Sequence, residues 1–275
     1  MSNEPQVRHI LSLSGGKDSA ALAIYMRDRV PEMEYIFSDT GKELPETYDY
    51  LQRLENYLGK PLHRLNADLG FDHWYTMYGG MIPSNHRRWC TKMLKLKPFE
   101  DYCGDQPVVN YVGLRADENR SGYISHKTNI KAVYPFQEDG LILRDIEEIL
   151  RTSGVGMPPY TKWGRTRSGC FFCFYQQKIE WVRLKETHPD LYEKAKEYEV
   201  PFEKTGNFFT WSQGESLAEL ERPERMAQIK RDHALRVERM AQRKDNSTLI
   251  AVFSEHDSTE APEDGDDQGC LVCQL

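Results

Sequence analysis

Residues 10–19 read ILSLSGGKDS, and this stretch decides the fold of the chain. The apolar run predicts a buried strand that breaks at the glycine pair Gly15-Gly16, and the following AALAIYM favours a helix. Glycines allow a sharp turn in which backbone N–H groups come close to a ligand, and a helix N-terminus carries partial positive charge. Lys17 adds a full charge, so we predict that an anion binds at residues 14–19.

Strands and helices continue to alternate after this turn. YIFSDTG (35–41), LHRLNAD (62–68) and VVNYVGLRA (108–116) predict further strands, and LPETYDYLQRLENYLG (44–59) predicts a helix. Such βαβ units indicate an α/β fold, a mostly parallel twisted sheet with helices on both faces. Ligands of these sheets gather beyond the carboxyl ends of the strands, which here carry SGGKDS, SDTG and GLRADENR.

The composition of the chain changes at about residue 140. We predict an α/β domain over 1–140, a helical and cysteine-containing region over 141–250, and an acidic flexible tail over 251–275 that ends in a CxxC pair. In the second region an apolar stripe at helical spacing is expected to pack against the body of the protein. The stripe consists of Met226, Ile229, His233, Val237 and Met240.

The composition and the N-terminal pattern predict a cytoplasmic protein that does not insert into a membrane. The chain has 275 residues, of which 39% are hydrophobic and 29% charged, and it has no apolar run of the ~18 residues that a membrane span needs. The N-terminal MSNEPQVRH also lacks the pattern of a secretory signal. In a reducing cytoplasm the six cysteines are expected to serve metal or redox chemistry rather than disulfides.

Charge is distributed unevenly. The net charge of −7 is matched by seven acidic residues within 255–267, so the rest of the chain is neutral overall. Basic clusters at Arg87-Arg88, at 162–167 and at 222–243 predict contacts with phosphates or nucleic acid, although a solvated helical face explains them equally well. Trp89 and Trp163 are candidates for stacking on a base.

Four cysteines suggest a metal centre. Cys170 and Cys173 form a CxxC, while Cys90 and Cys103 stand 13 residues apart in what reads as one helix. At a rise of ~1.5 Å per residue, those two sulfurs would lie about 20 Å apart and on different faces. We interpret Cys90, Cys170 and Cys173 as three ligands and keep Cys103 as a fourth candidate that requires a break near Pro98.

Three thiolates and one open position suit a [4Fe–4S] cluster whose remaining iron can hold sulfide. Zinc is the alternative metal, although its sites usually combine two CxxC-like pairs. A bare redox pair at Cys170 and Cys173, or inert core cysteines, are the other interpretations.

Residues 14–19 resemble the PP-loop of the ATP pyrophosphatases, which cleave ATP between the α and β phosphates. With SDTG, WCTKMLKLKPF, GLRADENR and GCFFC in this order, the chain resembles the phosphoadenosine phosphosulfate (PAPS) reductase-like family. Within that family it looks most like the ATP pyrophosphatases of DNA phosphorothioation systems, the Dnd and Ssp antiphage defence modules. There the enzyme is thought to activate a backbone phosphate so that sulfur replaces an oxygen.

The resemblance implies a sulfurtransferase that binds ATP with Mg²⁺ and releases AMP and pyrophosphate. It assigns catalysis to Lys17, Asp18, Asp39 and Arg115, with Mg²⁺ near Asp39 or Asp18. It assigns nucleotide binding to Ser12, Ser14, Gly15, Gly16, Lys17, Asp18, Ser19, Asp39, Gly113, Arg115 and Arg120.

The same resemblance implies partners and rivals. The expected partners are a cysteine desulfurase as sulfur donor, DNA rather than RNA as substrate, other phosphorothioation proteins and a second copy in a homodimer. The rival functions are a PAPS or adenylyl-sulfate reductase, a tRNA base thiolation enzyme and a non-catalytic nucleotide-sensing scaffold. Cys270 and Cys273 are read as a sulfur carrier, a docking tail or an incidental pair.

Overall fold

A single parallel sheet forms the centre of the protein. The structure, a computed structural model, describes residues 7–66, 69–118, 125, 127–202, 204 and 206–245. In these ranges all neighbouring strands of the sheet pair in parallel, in the order β3-β2-β1-β4-β5. The strands are β1 (Arg8–Ser12), β2 (Glu34–Asp39), β3 (Leu62–Asn66), β4 (Val108–Tyr111) and β5 (Ile130–Val133). The predicted α/β class is confirmed, and β5 is an addition to the predicted strands.

Helices cover both faces of this sheet, because its strands alternate apolar side chains between the faces. Leu11 and Phe37 pack on one face against α1 (Lys17–Met26), α2 (Pro45–Leu58) and α7 (Leu143–Thr152). Ile10 and Ile36 pack on the other face against α5 (Lys97–Cys103). Since α7 packs directly on α1, the sheet layer continues beyond the predicted boundary at residue 140.

The strand order reverses between β1 and β4, the two central strands. β2 and β3 follow β1 on one side, and β5 follows β4 on the other. The connections therefore diverge at the carboxyl ends of β1 and β4 and leave a crevice, the usual ligand site of an open α/β sheet.

A second apolar cluster lies beside the sheet and is rich in aromatic side chains. Phe71, at the start of α3 (Phe71–Met77), meets Phe172 and Trp89 with ring centroids 4.6 and 4.9 Å apart. Phe172 in turn stacks on Trp211. This cluster surrounds the Cys170–Cys173 segment and is backed by the C-terminal helices. Those are α8 (Lys178–Thr187), α9 (Pro189–Lys196), α10 (Leu217–Leu220) and α11 (Pro223–Asp245).

The remaining helical elements of the described chain are short. The segment 89–103 is continuously helical, and it changes from α4 (Trp89–Thr91) to a π-helix (Lys92–Leu96) and then to α5. The remaining elements are α6 (Pro135–Glu138) and a 3₁₀ helix (Pro159–Trp163).

The long helix α11 packs on the body through its first half. Ile229 is buried and Met226 is partly buried in the aromatic cluster. Val237 and Met240 remain about half exposed, so the predicted stripe makes contact only up to the middle of the helix. The acidic tail with Cys270 and Cys273 lies outside the described residues. No helix within the described ranges is long and apolar enough to cross a membrane.

Glu215 joins the helices that support the aromatic cluster. Its carboxylate accepts from Lys178 of α8 and Arg225 of α11, each at 2.7 Å, and its side chain is 13% exposed. The hydrogen bonds from Arg225, with help from Lys178, lower the pKa of Glu215 to about 2.

We expect Glu215→Gln to lower the free energy of unfolding at pH 7 by about 1–2 kcal/mol, because the charged pair is lost. The advantage of the wild type is full above pH 4.5, where a free glutamate is ionised, and is lost as the pH falls towards 2. Urea denaturation at pH 7 and pH 3 measures the difference. Glu197→Gln, at an exposed carboxylate, serves as the control. An equal difference at both pH values would contradict this role.

Candidate functional site

The turn after β1 has the geometry of an anion site. Gly15 has a φ of +71°, and Gly16 is the extended N-cap residue of α1. The N-cap of α1 provides no side-chain cap, and in the first turn the buried Tyr160 hydroxyl accepts a hydrogen bond from the Lys17 N–H. Ser19 Oγ donates to Gly16 O at 3.2 Å and accepts from Ser14 N at 3.2 Å, which holds the turn in shape.

Two glycines allow close contacts around the turn: Gly15 with α2, and Gly113 of the loop after β4 with the start of α1. A Cβ on Gly15 would lie 2.6 Å from Thr47 Cγ2, and a Cβ on Gly113 would lie 3.1 Å from the backbone of Asp18. Both residues were predicted to bind nucleotide, and the structure shows that each permits a close packing contact. The close approach places residues 14–19 directly beside the β4 loop.

Arg115 ties the β4 loop to α1. Its Nη1 donates to Asp18 Oδ1 and lies 2.8 Å from Glu118 Oε1, while its Nε donates to Asp117 Oδ1. Asp117 and Glu118 therefore orient Arg115. A phosphate would have to replace one of these carboxylates to reach the guanidinium. Arg120 lies outside the described residues.

Lys17 and Asp39 are the groups best placed for a magnesium–nucleotide complex. Lys17 is half-buried in the first turn of α1, and its ammonium contacts no carboxylate of a described residue. Asp39, at the end of β2, accepts from Gly41 N and Tyr48 OH through Oδ1. Its Oδ2 has no donor among the described residues, and Mg²⁺ needs only one or two carboxylates besides phosphates. Ser12 is buried below the turn, where its hydroxyl lacks a partner.

A pocket beside this crevice is lined by three of the predicted cysteines. Cys90, Cys170 and Cys173 share its wall with Thr40 and Lys95, and the pocket encloses about 460 Å³ including its open side. The remaining lining is mostly aromatic: Phe71, Phe172, Phe174, Tyr175 and Trp211. The structure thus brings together cysteines that are 80 residues apart in sequence.

Cys103 does not belong to this group. It is buried in the apolar cluster on the far face of the sheet, beside Ile10 and Val108. Pro98 stands in the first turn of α5, where a missing N–H is tolerated, so the helix does not break. Burial raises the pKa of the Cys103 thiol to about 11. The structure therefore corrects the prediction that Cys103 is a metal ligand: Cys103 is a core residue.

Sequence reasoning missed Glu43, which lies against Cys170. Its Oε1 accepts from Thr40 Oγ1 at 3.1 Å and lies 3.8 Å from Cys170 Sγ, while its buried Oε2 has no partner. Burial raises the pKa of Glu43, and burial followed by the Glu43 charge raises the pKa of the Cys170 thiol. In the sequence Glu43 reads only as a residue preceding a helix, which gives no sign of its burial.

The metal ligands predicted from the sequence remain a prediction. Among the described residues, no group of three or more His, Cys, Asp or Glu side chains is placed to hold a metal ion. Zinc would need four ligands at about 2.0–2.3 Å from one point. Cys90, Cys170 and Cys173 instead stand around one pocket, an arrangement that matches a multi-atom group held by thiolates.

The pocket and the crevice share a connecting segment, residues 165–171. Ser168 Oγ donates to Ser14 Oγ at 3.4 Å, and a Cβ on Gly16 would come within 3.0 Å of Ser168 Oγ. Phe171 N donates to Lys42 O, which pins the segment to the β2 loop. A structural change at the glycine turn would therefore alter the packing of Ser168, two residues before Cys170.

One aromatic prediction needs correction. Trp89 is 5% exposed and donates to Met81 O, so it belongs to the core and cannot stack on a base. Trp163 is partly buried and donates to Glu46, and its stacking on a base remains a prediction. At the pocket, Tyr175 instead carries Arg88 and Arg167 within 5.3 and 5.5 Å of its ring centroid.

The comparisons with known proteins agree with a domain built around this crevice. Residues 8–137 match the phosphoadenosine phosphosulfate reductase domain family. The matched residues run from β1 to α6 and so include the glycine turn and Cys90, while Cys170 and Cys173 follow them. A phosphorothioation-type membership remains a prediction.

Curated proteins similar to this chain carry different names. An uncharacterized protein of Methanocaldococcus jannaschii is 27% identical over 66% of this chain and 45% of its own length. An adenosine 5'-phosphosulfate reductase of Staphylococcus haemolyticus is 26% identical over 45% of this chain and 53% of its length. A tRNA-specific 2-thiouridylase of Actinobacillus pleuropneumoniae is 27% identical over 41% and 32%. The chain spans less than half of the first relatives.

Among solved structures, a PAPS reductase from Candida auris aligns with 61% of this chain and 82% of its own, at 14% identity and a TM-score of 0.49. A U34-tRNA thiolase from Methanococcus maripaludis, solved with its [4Fe–4S] cluster, aligns with 71% and 72%, at 14% identity and a TM-score of 0.41.

We expect Gly15→Ala to weaken nucleotide binding at least tenfold, because the added Cβ clashes with Thr47 and strains a positive φ. Gly59→Ala is the matched control, since Gly59 has a φ of +65° and open space around its Cβ. It should cost about 1 kcal/mol of stability and leave binding unchanged. Titration calorimetry with ATP compares them, and equal affinities would refute the anion site.

Proposed function

We propose that this protein activates an oxygen with ATP, releasing pyrophosphate, and replaces that oxygen with sulfur held near Cys90, Cys170 and Cys173. The observation that supports this most strongly is the shared segment 165–171, which contacts the glycine turn at Ser14 and carries Cys170 into the cysteine pocket. An activation site and a thiol site are thereby adjacent. Neither part alone would favour this reaction.

In this proposal the glycine turn stabilises the leaving pyrophosphate. The N–H groups of the first turn of α1 and the unpaired ammonium of Lys17 face the β and γ phosphates, where negative charge builds up as the α–β bond breaks. Asp39 holds Mg²⁺ on the same phosphates through its unengaged Oδ2. Asp18 positions Arg115 at the edge of the crevice.

The cysteine pocket supplies sulfur. Cys90, Cys170 and Cys173 would hold a [4Fe–4S] cluster, whose chemistry here is to carry sulfide at the iron without a cysteine. The lining is largely aromatic, and Thr40 Oγ1 lies 3.2 Å from Cys170 Sγ. A cysteine desulfurase is the proposed donor, and a thiol reductant would supply the two electrons that convert its persulfide sulfur to sulfide.

DNA is the proposed acceptor, with its backbone phosphate as the activated group. Cations near the pocket support an anionic polymer, because Arg87, Arg88, Lys92 and Arg167 form no ion pair with a described carboxylate. Cations of the C-terminal helices such as Lys185 and Lys196 are paired. The relative named as a tRNA thiouridylase makes a tRNA base the alternative acceptor.

Sulfonucleotide reduction is the second candidate function. It is supported by the match of residues 8–137 to the PAPS reductase domain and by the relative named as an adenosine 5'-phosphosulfate reductase. Here residues 14–19 would bind the sulfonucleotide, and a cysteine would attack its sulfur. Release of sulfite without consumption of ATP would decide for this reaction.

Lys17→Ala tests the activation step. We expect a 10²–10³-fold loss of AMP and pyrophosphate formation from ATP, since one preorganised cationic donor to the leaving group is removed. Lys131→Ala, at an exposed lysine of β5, should keep full activity. Radiolabelled ATP separated by thin-layer chromatography measures both. An active Lys17→Ala enzyme would end the proposal.

Iron and sulfide analysis after anaerobic purification tests the pocket. Cys90→Ser, Cys170→Ser and Cys173→Ser should each lower the iron content strongly, because each removes one thiolate ligand. Cys103→Ser should retain iron, since Cys103 lies on the far face of the sheet. If Cys103→Ser alone lost iron, the assignment of ligands would be reversed.

A further inference from the structure

Arg165 is a buried cation that forms no ion pair with a described residue, although the charge of the buried Glu43 carboxyl acts on it from a greater distance. Its side chain is 2% exposed, yet no carboxylate of a described residue lies within ion-pair distance. Its Nη2 donates to Gly169 O at 3.2 Å and to Cys170 O at 2.8 Å, while Nε and Nη1 have no partner among the described residues. The sequence analysis grouped Arg165 with exposed basic residues, and its burial corrects that reading.

Such a group is costly for the folded protein. Burial of a guanidinium removes its hydration, and a buried charge is normally paired or moved to the surface. Two carbonyl acceptors offset only part of this cost, because Nε and Nη1 remain without acceptors. A cation that destabilises the protein by itself fits a site whose occupant is negatively charged.

The position of Arg165 indicates which site would hold the negatively charged occupant. Its guanidinium donates to the carbonyls of Gly169 and Cys170, two residues that line the cysteine pocket. Lys95 lines the same pocket. Glu180 holds the next residue in place by accepting from Thr166 N at 2.6 Å.

We infer that Arg165 is a positioning residue for an anionic, thiolate-bound group in the cysteine pocket: its guanidinium orients the Cys170 loop and its charge offsets that of the occupant. This inference rests on the proposed function, because the occupant is the cluster held by Cys90, Cys170 and Cys173. Arg165 touches neither substrate nor cluster and acts through Cys170 and through its electric field.

The charge has a measurable consequence. Reduction of an iron–sulfur cluster adds a negative charge, and a nearby buried cation stabilises the reduced state through a medium of low dielectric constant. Removal of that cation therefore lowers the reduction potential. The same removal should not destabilise the cluster-free protein, because an unpaired buried charge disappears.

The test compares anaerobically purified wild type with Arg165→Gln, Arg165→Lys and Lys162→Gln. Arg165→Gln keeps a donor for the Cys170 carbonyl but loses the charge, so we expect a more negative midpoint potential and a lower iron content. Arg165→Lys keeps the charge and should have a potential closer to that of the wild type. Lys162→Gln removes an exposed charge from the same segment and should match the wild type in both measurements. Redox titration followed by electron paramagnetic resonance gives the potential.

Thermal unfolding of the cluster-free proteins separates positioning from a structural role. We expect the melting temperature of Arg165→Gln to equal or exceed that of the wild type. A large drop, or a wild-type potential in Arg165→Gln, overturns the inference while leaving the activation chemistry intact. Wild-type protein without iron overturns both this inference and the proposed sulfur carrier, whereas pyrophosphate release from ATP still tests the rest.

Discussion

The close backbone approach at Gly15 and Gly16 is the constraint on which the site depends. Gly15 leaves room for Thr47 of α2, and Gly16 leaves room for Ser168. If either position carried a side chain, the turn would move away from the segment that leads to Cys170. Two absent methyl groups thus set the distance between the crevice at the sheet and the cysteine pocket.

The local features of the fold could be read from the sequence because they are local in origin. The glycine turn, the alternation of strands and helices and the helical separation of Cys90 from Cys103 all follow from neighbouring residues. The sequence analysis also predicted that Cys90, Cys170 and Cys173 share one site. It did so from the family resemblance and from the [4Fe–4S] cluster that three thiolates and one open ligand position suit.

The remaining features depend on contacts between distant segments. Nothing near Trp89 indicates that it enters the core, and nothing near Arg165 indicates that a basic loop turns one of its cations inward. Glu43 lies against Cys170 only because the β2 loop pairs with the CxxC segment. β5 was missed because Lys131 interrupts its short IKAV run, whereas the equally short β4 lies in the longer run VVNYVGL.

The π-helix Lys92–Leu96 brings a further property to the pocket. Residues five apart on an α-helix point about 140° away from each other, whereas the i→i+5 bonding of a π-helix stacks them nearly in line. Cys90 and Lys95 are five apart and line the same wall. One surplus residue in this turn is therefore what allows a thiol and an ammonium to serve one cavity. In a homologue without the extra residue, only one of these two side chains could face the pocket.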